Sequence, residues 1–387
     1  MKPFELAKRL QVFPPYLFAE IDKEKQSLRA QGISFVDLGI GDPDVLAPNS
    51  VVEALYASAK IKANQKYALD QGKKSFKEAI NSYSQQRFGV TFNADTEILP
   101  LIGSKEGLVH FPLAFVNPSD YVIIPSPGYP GYRSAALFCQ AKIYEMPLKE
   151  KNRFLPELQK IPLSVRNKAK VMFLNYPNNP TSALAPESFL KEAVAFAAQY
   201  GIILAYDNAY AEVYFDQKPL SIFNIDGAKE VAIEFHSLSK TFCMTGFRVG
   251  WACGNPALVS ALLKVKSNVD SGIFPAVQDA AEKALRDEQK FIEQLRSIIK
   301  ERRDVFLKTL KKSVFSKIYA DSTFYVWAKI PRGVSSIEYC KSLMKEKNLV
   351  ATPGVGFGKY GEGFIRFSLT LEQSQIQKAA EILNTVR

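Results

Sequence analysis

The sequence predicts an α/β fold, with a large domain built on a mostly parallel central sheet flanked by helices and a smaller α+β domain after it. Three observations lead there. Short apolar runs alternate with stretches of helical periodicity, as strand-helix-strand units require. Polar residues capable of chemistry gather just past the ends of those runs. Beyond about residue 275 the texture changes, and long amphipathic stretches replace short buried ones.

Taken in order, Val122–Pro125, Val171–Leu174, Ile202–Tyr206 and Val231–Phe235 read as strands. Each is too short for an ordinary helix and apolar but for Glu234 in the last, the pattern of a strand covered on both faces. Between the second and third lies Pro186–Tyr200, whose Phe189, Leu190, Ala193, Val194, Phe196 and Ala197 form one apolar face. Proline near its start and Gly201 just past its end mark a crossover helix. Farther on, Asp287–Lys312 reads as one long helix with Phe291, Leu295, Ile298, Val305 and Phe306 in a stripe. It is followed by strand-like Thr323–Lys329, helical Ser335–Lys345, strand-like Gly363–Leu369 and helical Glu372–Val386. With no internal repeat or low-complexity linker, the two domains are expected to be tightly joined.

Composition narrows the class of function. The 387 residues are 47% hydrophobic, enough for a sizeable core. No apolar run approaches membrane-spanning length and the first residues lack a charged-then-apolar leader pattern, so no membrane association is expected and cytoplasmic residence is the default. Four cysteines, Cys139, Cys243, Cys253 and Cys340, are scattered without paired metal spacing, and His110 and His236 are the only histidines. That argues against structural zinc or a disulfide framework, and no metal-binding residues are expected. The net charge of +11 is spread among acidic residues in amphipathic stretches and belongs to no recognisable nucleic-acid module. It reads as solvated surface and a preference for small anionic ligands, not as a nucleic-acid partner.

Ser237-Leu238-Ser239-Lys240, followed by Gly246-Phe247-Arg248-Val249-Gly250, carries the most chemistry. A lysine between hydroxyls, with an arginine eight residues on, combines an amine able to condense with an aldehyde and a cup for a phosphate. Pyridoxal 5′-phosphate needs both. A surface lysine in a serine-rich loop is the competing reading of this stretch alone.

Further motifs fall in a fixed order: Asn179-Pro180-Thr181, then Asp207 with Tyr210 three residues on, then the two stretches above. With them the chain resembles the class I/II aminotransferases of pyridoxal phosphate fold type I over nearly its whole length. Within that superfamily it is most similar to the LL-diaminopimelate aminotransferases, on Pro14–Phe18, Leu38–Asp44, Leu101–Gly107, Phe173–Thr181 and Glu234–Lys240. The resemblance implies an N-terminal segment (1–45) associated with the small domain and the site, a large cofactor-binding domain (46–275) and a small C-terminal domain (276–387). It also implies a ping-pong transfer of an amino group from an amino-acid donor, LL-diaminopimelate first among the candidates, to a 2-oxo acid, 2-oxoglutarate. Aspartate, aromatic and N-succinyl-diaminopimelate specificities are the near alternatives. A lyase on the same fold and a non-enzymatic regulator binding the same cofactor are more distant ones.

The resemblance carries over residue by residue. Lys240 would be the Schiff-base lysine and proton shuttle. Asp207 would pair with the cofactor's ring nitrogen and keep it protonated, although an aspartate capping a following turn fits the same position. Asn179 and Tyr210 would hydrogen-bond the phenolic oxygen, Asn179 also binding substrate, with Tyr210 as core the competing reading. Tyr129 would stack on the ring, or merely pack at the surface. Ser104 and Lys105, through backbone amides at a helix start, would join Ser237, Ser239 and Arg248 around the phosphate, unless Ser104 is only a helix cap. Arg366, in Phe364-Ile365-Arg366-Phe367-Ser368, would hold the substrate's α-carboxylate, since a charged fork in an apolar strand is costly without a partner. Tyr67 would reach the cofactor phosphate of a neighbouring subunit, which makes a homodimer with shared sites the expected assembly. Tyr16 and Gly41 would line the substrate pocket, and Lys105 would meet a second carboxylate. Ser182 and Ser322 stand where the family usually has glycine, a strained choice if either position has positive φ. Cys243 reads as a buried inert thiol.

Overall fold

The computed structural model describes residues 4–13, 17–310 and 314–386, with backbone alone over 17–21. In chain order the strands are β1 (Val36–Asp37), β2 (Ile98–Leu101), β3 (Tyr121–Ser126), β4 (Lys142–Pro147), β5 (Ala169–Asn175), β6 (Ile203–Asp207), β7 (Ala232–Ser237), β8 (Gly250–Gly254), β9 (Ile318–Tyr319), β10 (Tyr325–Lys329), β11 (Leu349–Val350), β12 (Thr352–Pro353) and β13 (Phe364–Ser368). Seven form one sheet in the order β2-β8-β7-β6-β5-β3-β4. Only β8 runs against its neighbours. The central strands are buried almost end to end, which is why they read as largely apolar runs.

The Glu187–Tyr200 helix crosses between β5 and β6 and buries the six apolar residues expected of it. It stops at Gly201, whose φ of 63° lets its N–H reach back to the carbonyls of Ala197 and Ala198.

The smaller unit is the antiparallel sheet β12-β13-β10-β9, with β1 paired in parallel to β11 beside it. Its core gathers Phe306, Val326, Ala328, Leu343, Ile365, Phe367, Ile376 and Leu383. The single helix expected from Asp287 to Lys312 begins two residues late, after an interruption. Glu288, at φ −105° and ψ 32°, separates a Pro275–Asp287 helix from a Gln289–Thr309 helix, while Lys311 and Lys312 lie outside the described residues. Helix Pro275–Asp287 buries Ala280, Ala281, Ala284 and Leu285 in the core shared with Phe76, Ile80 and Trp251, so the change of texture near 275 precedes the change of core. Among the described residues no helix is long and apolar enough to cross a membrane.

Candidate active site

Parallel strands present their carboxyl ends on one side, and the crevice there is where an open α/β sheet binds ligands. Asn175 at the end of β5 pairs in register with Asp207 at the end of β6, and Asp207 pairs with Phe235 near the end of β7. The loops that follow therefore open side by side. A cavity of about 310 Å³ lies over them. Gly41, Ser104, Lys105, Tyr129, Asn179, Asp207, Tyr210, Ser237, Ser239, Lys240, Arg248 and Arg366 all line it, brought from seven separate stretches of chain. Tyr67 does not. It is 92% exposed, beside Gly272 and Phe274 in a different surface depression. Tyr16 lies outside the described residues.

At one end of the cavity Gly103 precedes the Ser104–His110 helix with φ 73° and no side-chain cap. Gly103, not Ser104, is the cap residue. A Cβ on Gly103 would stand 2.7 Å from Nη2 of Arg248, so a side chain there would push the guanidinium off the helix start as well as strain the backbone. Arg248 itself sits at φ 55°, with Nη1 donating to the Thr245 carbonyl at 2.8 Å. Ser237 caps the short Leu238–Thr241 helix, its Oγ accepting the Ser239 N–H at 3.2 Å. Backbone amides of a first helical turn, serine hydroxyls and a guanidinium thus meet at one point, a donor set suited to a dianion.

Lys240 projects from that same turn, with Nζ donating to the Gly41 carbonyl at 2.7 Å. Burial holds its pKa below the ordinary lysine value, which favours the neutral, nucleophilic amine. Gly41 is glycine for space: a Cβ there would overlap the Tyr325 hydroxyl.

At the floor, Asp207 is 5% exposed. One carboxylate oxygen accepts the Tyr132 hydroxyl at 2.6 Å and the other accepts the Ala209 N–H at 3.1 Å, so the turn-capping role and a place in the cavity coexist. Burial raises its pKa to about 6 against the opposing effect of these two bonds and of His236. A protonated nitrogen placed beside it would repay the cost of ionisation.

Arg366, on β13, is buried and forms a wall. Nη1 donates to Asn179 Oδ1 at 2.8 Å and Nη2 to the Gly39 carbonyl at 3.0 Å, while Nε is buried with no partner. Its guanidinium lies over the rings of Tyr325 and Phe357, with centroids 4.0 and 4.6 Å away. An unpartnered buried donor on a planar fork is the mark of a carboxylate site. Tyr210 is likewise buried, its hydroxyl 3.0 Å from that of Tyr325. Tyr129 is half-buried at the rim, edge-on to Tyr132 at 5.5 Å between centroids.

Tyr132, Tyr325, Asn175 and Phe357 were absent from the sequence reading of the site. Tyr132 and Tyr325 sit in apolar patterns that read as core, and they are core as well; only the partners of their hydroxyls distinguish them. The side chain of Asn175, at a strand end with no motif of its own, donates to the Asp207 carbonyl at 2.8 Å and accepts the Asn179 N–H at 2.8 Å. Among the described residues no group of three or more His, Cys, Asp or Glu is arranged to hold a metal.

A dianion cradle, a poised amine, a buried carboxylate able to face a ring nitrogen and a fork for a carboxylate fit a phosphorylated pyridine aldehyde together with an amino acid. Comparison with known proteins agrees. The family model for aminotransferase class I and II matches residues 33–383. LL-diaminopimelate aminotransferase of Aquifex aeolicus is 48% identical over 99% of this chain and all of that protein, and that of Maridesulfovibrio salexigens is 48% identical over 98% of each. Among solved structures, substrate-bound BacF from Bacillus subtilis is 35% identical with a TM-score of 0.95 over 99% of this chain and 98% of that one. An aspartate aminotransferase variant of Thermus thermophilus is 25% identical with a TM-score of 0.92 over 99% of each. The chain is therefore a member of the class I and II aminotransferases, fold type I enzymes that use pyridoxal phosphate to exchange amino groups between amino acids and 2-oxo acids.

Proposed function

We propose that this enzyme takes the amino group of LL-diaminopimelate and passes it to 2-oxoglutarate in two half-reactions, the first oxo product leaving before the acceptor enters. The observation that carries the general reading is the convergence of Lys240, Asp207 and the Arg366 fork on one cavity. The donor is inferred from relatives of that name at 43–48% identity over nearly the full chain.

In this reading Asp207 faces the cofactor's ring nitrogen, and Asn179 and Tyr210 meet its phenolic oxygen. Tyr129 covers a ring face. The amides of Ser104 and Lys105, the hydroxyls of Ser237 and Ser239 and the Arg248 guanidinium hold the phosphate. Pyridoxal phosphate, when bound, supplies the aldehyde that accepts the amino group and the ring that withdraws electrons from the substrate's α-carbon. The protein does the rest. Arg366 fixes the α-carboxylate through a fork whose Nε is free to take a second bond. Lys240 Nζ, its pKa lowered by burial, would take the proton from the donor's Cα and deliver it to the cofactor's C4′ carbon, and would run the same transfer in reverse for the acceptor. Lys105, exposed at the cavity rim, meets a distal carboxylate and Gly41 shapes the pocket, while Tyr16, outside the described residues, is assigned to the pocket on the family resemblance alone. Tyr67, turned away from its own cavity, serves the phosphate of a second copy, so the working unit is a homodimer. The alternative donors, aspartate, aromatic amino acids and N-succinyl-diaminopimelate, share the α-carboxylate and differ only at the distal end.

The test is a donor panel on purified enzyme with 2-oxoglutarate as acceptor. LL-diaminopimelate is expected to give the highest kcat/KM, with parallel lines in double-reciprocal plots. Another donor ahead by an order of magnitude would replace the assignment. Lys240→Ala is expected to abolish turnover and the cofactor's bound absorbance with every donor; retention of both would remove Lys240 from its role.

A further inference from the structure

The loop leaving β5 and the segment entering β10 meet through two serines. Ser182 and Ser322 are both fully buried. Ser322 Oγ donates to the Ser182 carbonyl at 2.7 Å, and the Asp321 N–H donates to Ser182 Oγ at 3.1 Å. Two consecutive residues of one unit thus occupy both oxygens of a single residue of the other. Ser182 holds this posture at φ 60°, a region where glycine is the usual occupant.

Each partner is rigidly tied to a residue of the carboxylate site. On the loop, the Asn179 and Ser182 N–H groups donate to Asn175 Oδ1 and the Asn178 carbonyl at 2.8 and 2.9 Å, and Thr181 Oγ1 donates to Asn178 Oδ1 at 2.7 Å. Asn179 and Ser182 therefore move together. On the other side, Ser322 lies three residues before Tyr325, and β10 is laddered to β13 with Trp327 opposite Arg366. Asn179 Oδ1 accepts from Arg366 Nη1 at 2.8 Å. The path from Ser182 through the loop to Asn179, across to Arg366, through the strand ladder to β10 and back by Ser322 is a closed ring.

We infer that Ser182 and Ser322 are positioning residues: their clasp fixes the Asn179 loop against the Arg366 strand and so sets the affinity for the α-carboxylate of donor and acceptor. The inference rests on the reading of Arg366 as the carboxylate fork. Opening the ring at the clasp removes no side chain that touches cofactor or substrate but lets the two walls of the carboxylate site drift apart. Ground-state binding is weakened and the chemical step is not.

The experiment is steady-state kinetics on cofactor-loaded wild type, Ser322→Ala, Ser182→Ala and Arg366→Lys, with the cofactor dissociation constant measured alongside. Alanine at 182 keeps the positive φ and removes only the hydroxyl. Ser322→Ala is expected to raise KM for donor and acceptor by about 3- to 10-fold, as loss of one buried hydrogen bond allows, with kcat within about twofold and cofactor affinity unchanged. Ser182→Ala is expected to shift KM in the same direction. If both serine variants keep wild-type KM while Arg366→Lys raises it, the clasp has no positioning role. If Arg366→Lys leaves KM unchanged, the carboxylate reading fails and the clasp falls with it. Should Ser322→Ala not accumulate as folded protein, Ser182→Ala decides alone. A parallel fall in kcat and cofactor affinity would mark a general structural role and overturn the inference.

Discussion

Asp207 is the residue whose burial has the clearest consequence for the protein before it binds cofactor. Its carboxyl titrates near 6 in the fold because burial penalises the anion more than Tyr132 and the Ala209 N–H stabilise it. An unfolded aspartate titrates near about 4, so between these values the folded chain keeps a proton that the unfolded chain has released. A raised folded pKa means that stability is fully present below about pH 4 and is lost as pH rises through 6, by about 3 kcal/mol at most. Asparagine does not titrate. The denaturation midpoint of cofactor-free Asp207→Asn is therefore expected to gain on wild type between pH 5 and pH 7, and parallel pH profiles would refute the assignment of that proton. Which residues form the site was legible wherever a polar group interrupts an apolar run at a strand end, as with Asp207, Asn179, Ser237 and Lys240. Arg366 was legible for the opposite reason, a charge inside an apolar strand. Tyr132 and Tyr325 were not, because a tyrosine in an apolar pattern serves core and site equally and its hydroxyl's partner lies far away in sequence. Of the two unusual serines, Ser182 does carry positive φ, whereas beside Ser322 it is Thr323, at φ 59°, that takes the left-handed conformation.

Elements were readable where one rule acted alone. Strands β3, β5, β6 and β7 are buried on both faces and helix Glu187–Tyr200 has a clean stripe and a glycine stop, so sequence and structure agree to within one or two residues. That stop provides a test free of packing, because a Cβ on Gly201 would meet nothing within 4 Å. Gly201→Ala is expected to cost about 1 kcal/mol of unfolding free energy, purely from holding a left-handed residue, with kcat and KM unchanged. A chemical denaturation curve unmoved by the substitution would mean that the helix end relaxes instead. Strand β8 was missed since Gly250-Trp251-Ala252-Cys253-Gly254 is five residues between glycines, and the first of those glycines had already been read as part of an anion cup. Gly250 turns out to serve closeness. A Cβ there would overlap the His236 carbonyl and stand 3.0 Å from the Ser104 nitrogen, which is how the sheet and the helix start come together at the phosphate end. The interruption at Glu288 had no local signal, as Asp287, Glu288 and Gln289 contain neither glycine nor proline. The two helices on either side face different partners, and that tertiary demand is absent from a periodicity.

The whole molecule is held around the site by the segment that enters it first. Ser368 N–H donates to the Leu38 carbonyl at 2.7 Å, Arg366 and Thr352 donate to the Gly39 carbonyl at 3.0 Å each, Thr370 Oγ1 to Ile40 at 2.9 Å and Lys240 to Gly41 at 2.7 Å. Arg302 then grips both oxygens of Asp44 at 2.7 and 2.8 Å, a bidentate pair that pins the segment to helix Gln289–Thr309. Three successive carbonyls thus go to the smaller unit and the next to Lys240, so the strip ties both units to the cavity. One predicted contributor is left facing outward. Tyr67 stands 92% exposed with Tyr56, Ile61, Leu69, Val269 and Phe274 also exposed in the same two stretches of chain, and Gly272 packs on the Leu69 carbonyl to bring those stretches together. Apolar side chains concentrated this way mark an interaction surface, and a second copy is the partner that would give Tyr67 a phosphate to reach. Sedimentation of the wild type at micromolar concentration is expected to show a dimer. Phe274→Glu, which places a charge in that surface, is expected to shift it toward a folded monomer with at least about 10-fold weaker cofactor binding. Tyr67→Phe should remain dimeric and weaken cofactor binding about 10- to 150-fold, the loss of one hydrogen bond to a charged group. A wild-type monomer with full activity, or a Phe274→Glu monomer that binds cofactor as tightly as the dimer, would separate Tyr67 from the site and leave the cavity complete within one chain.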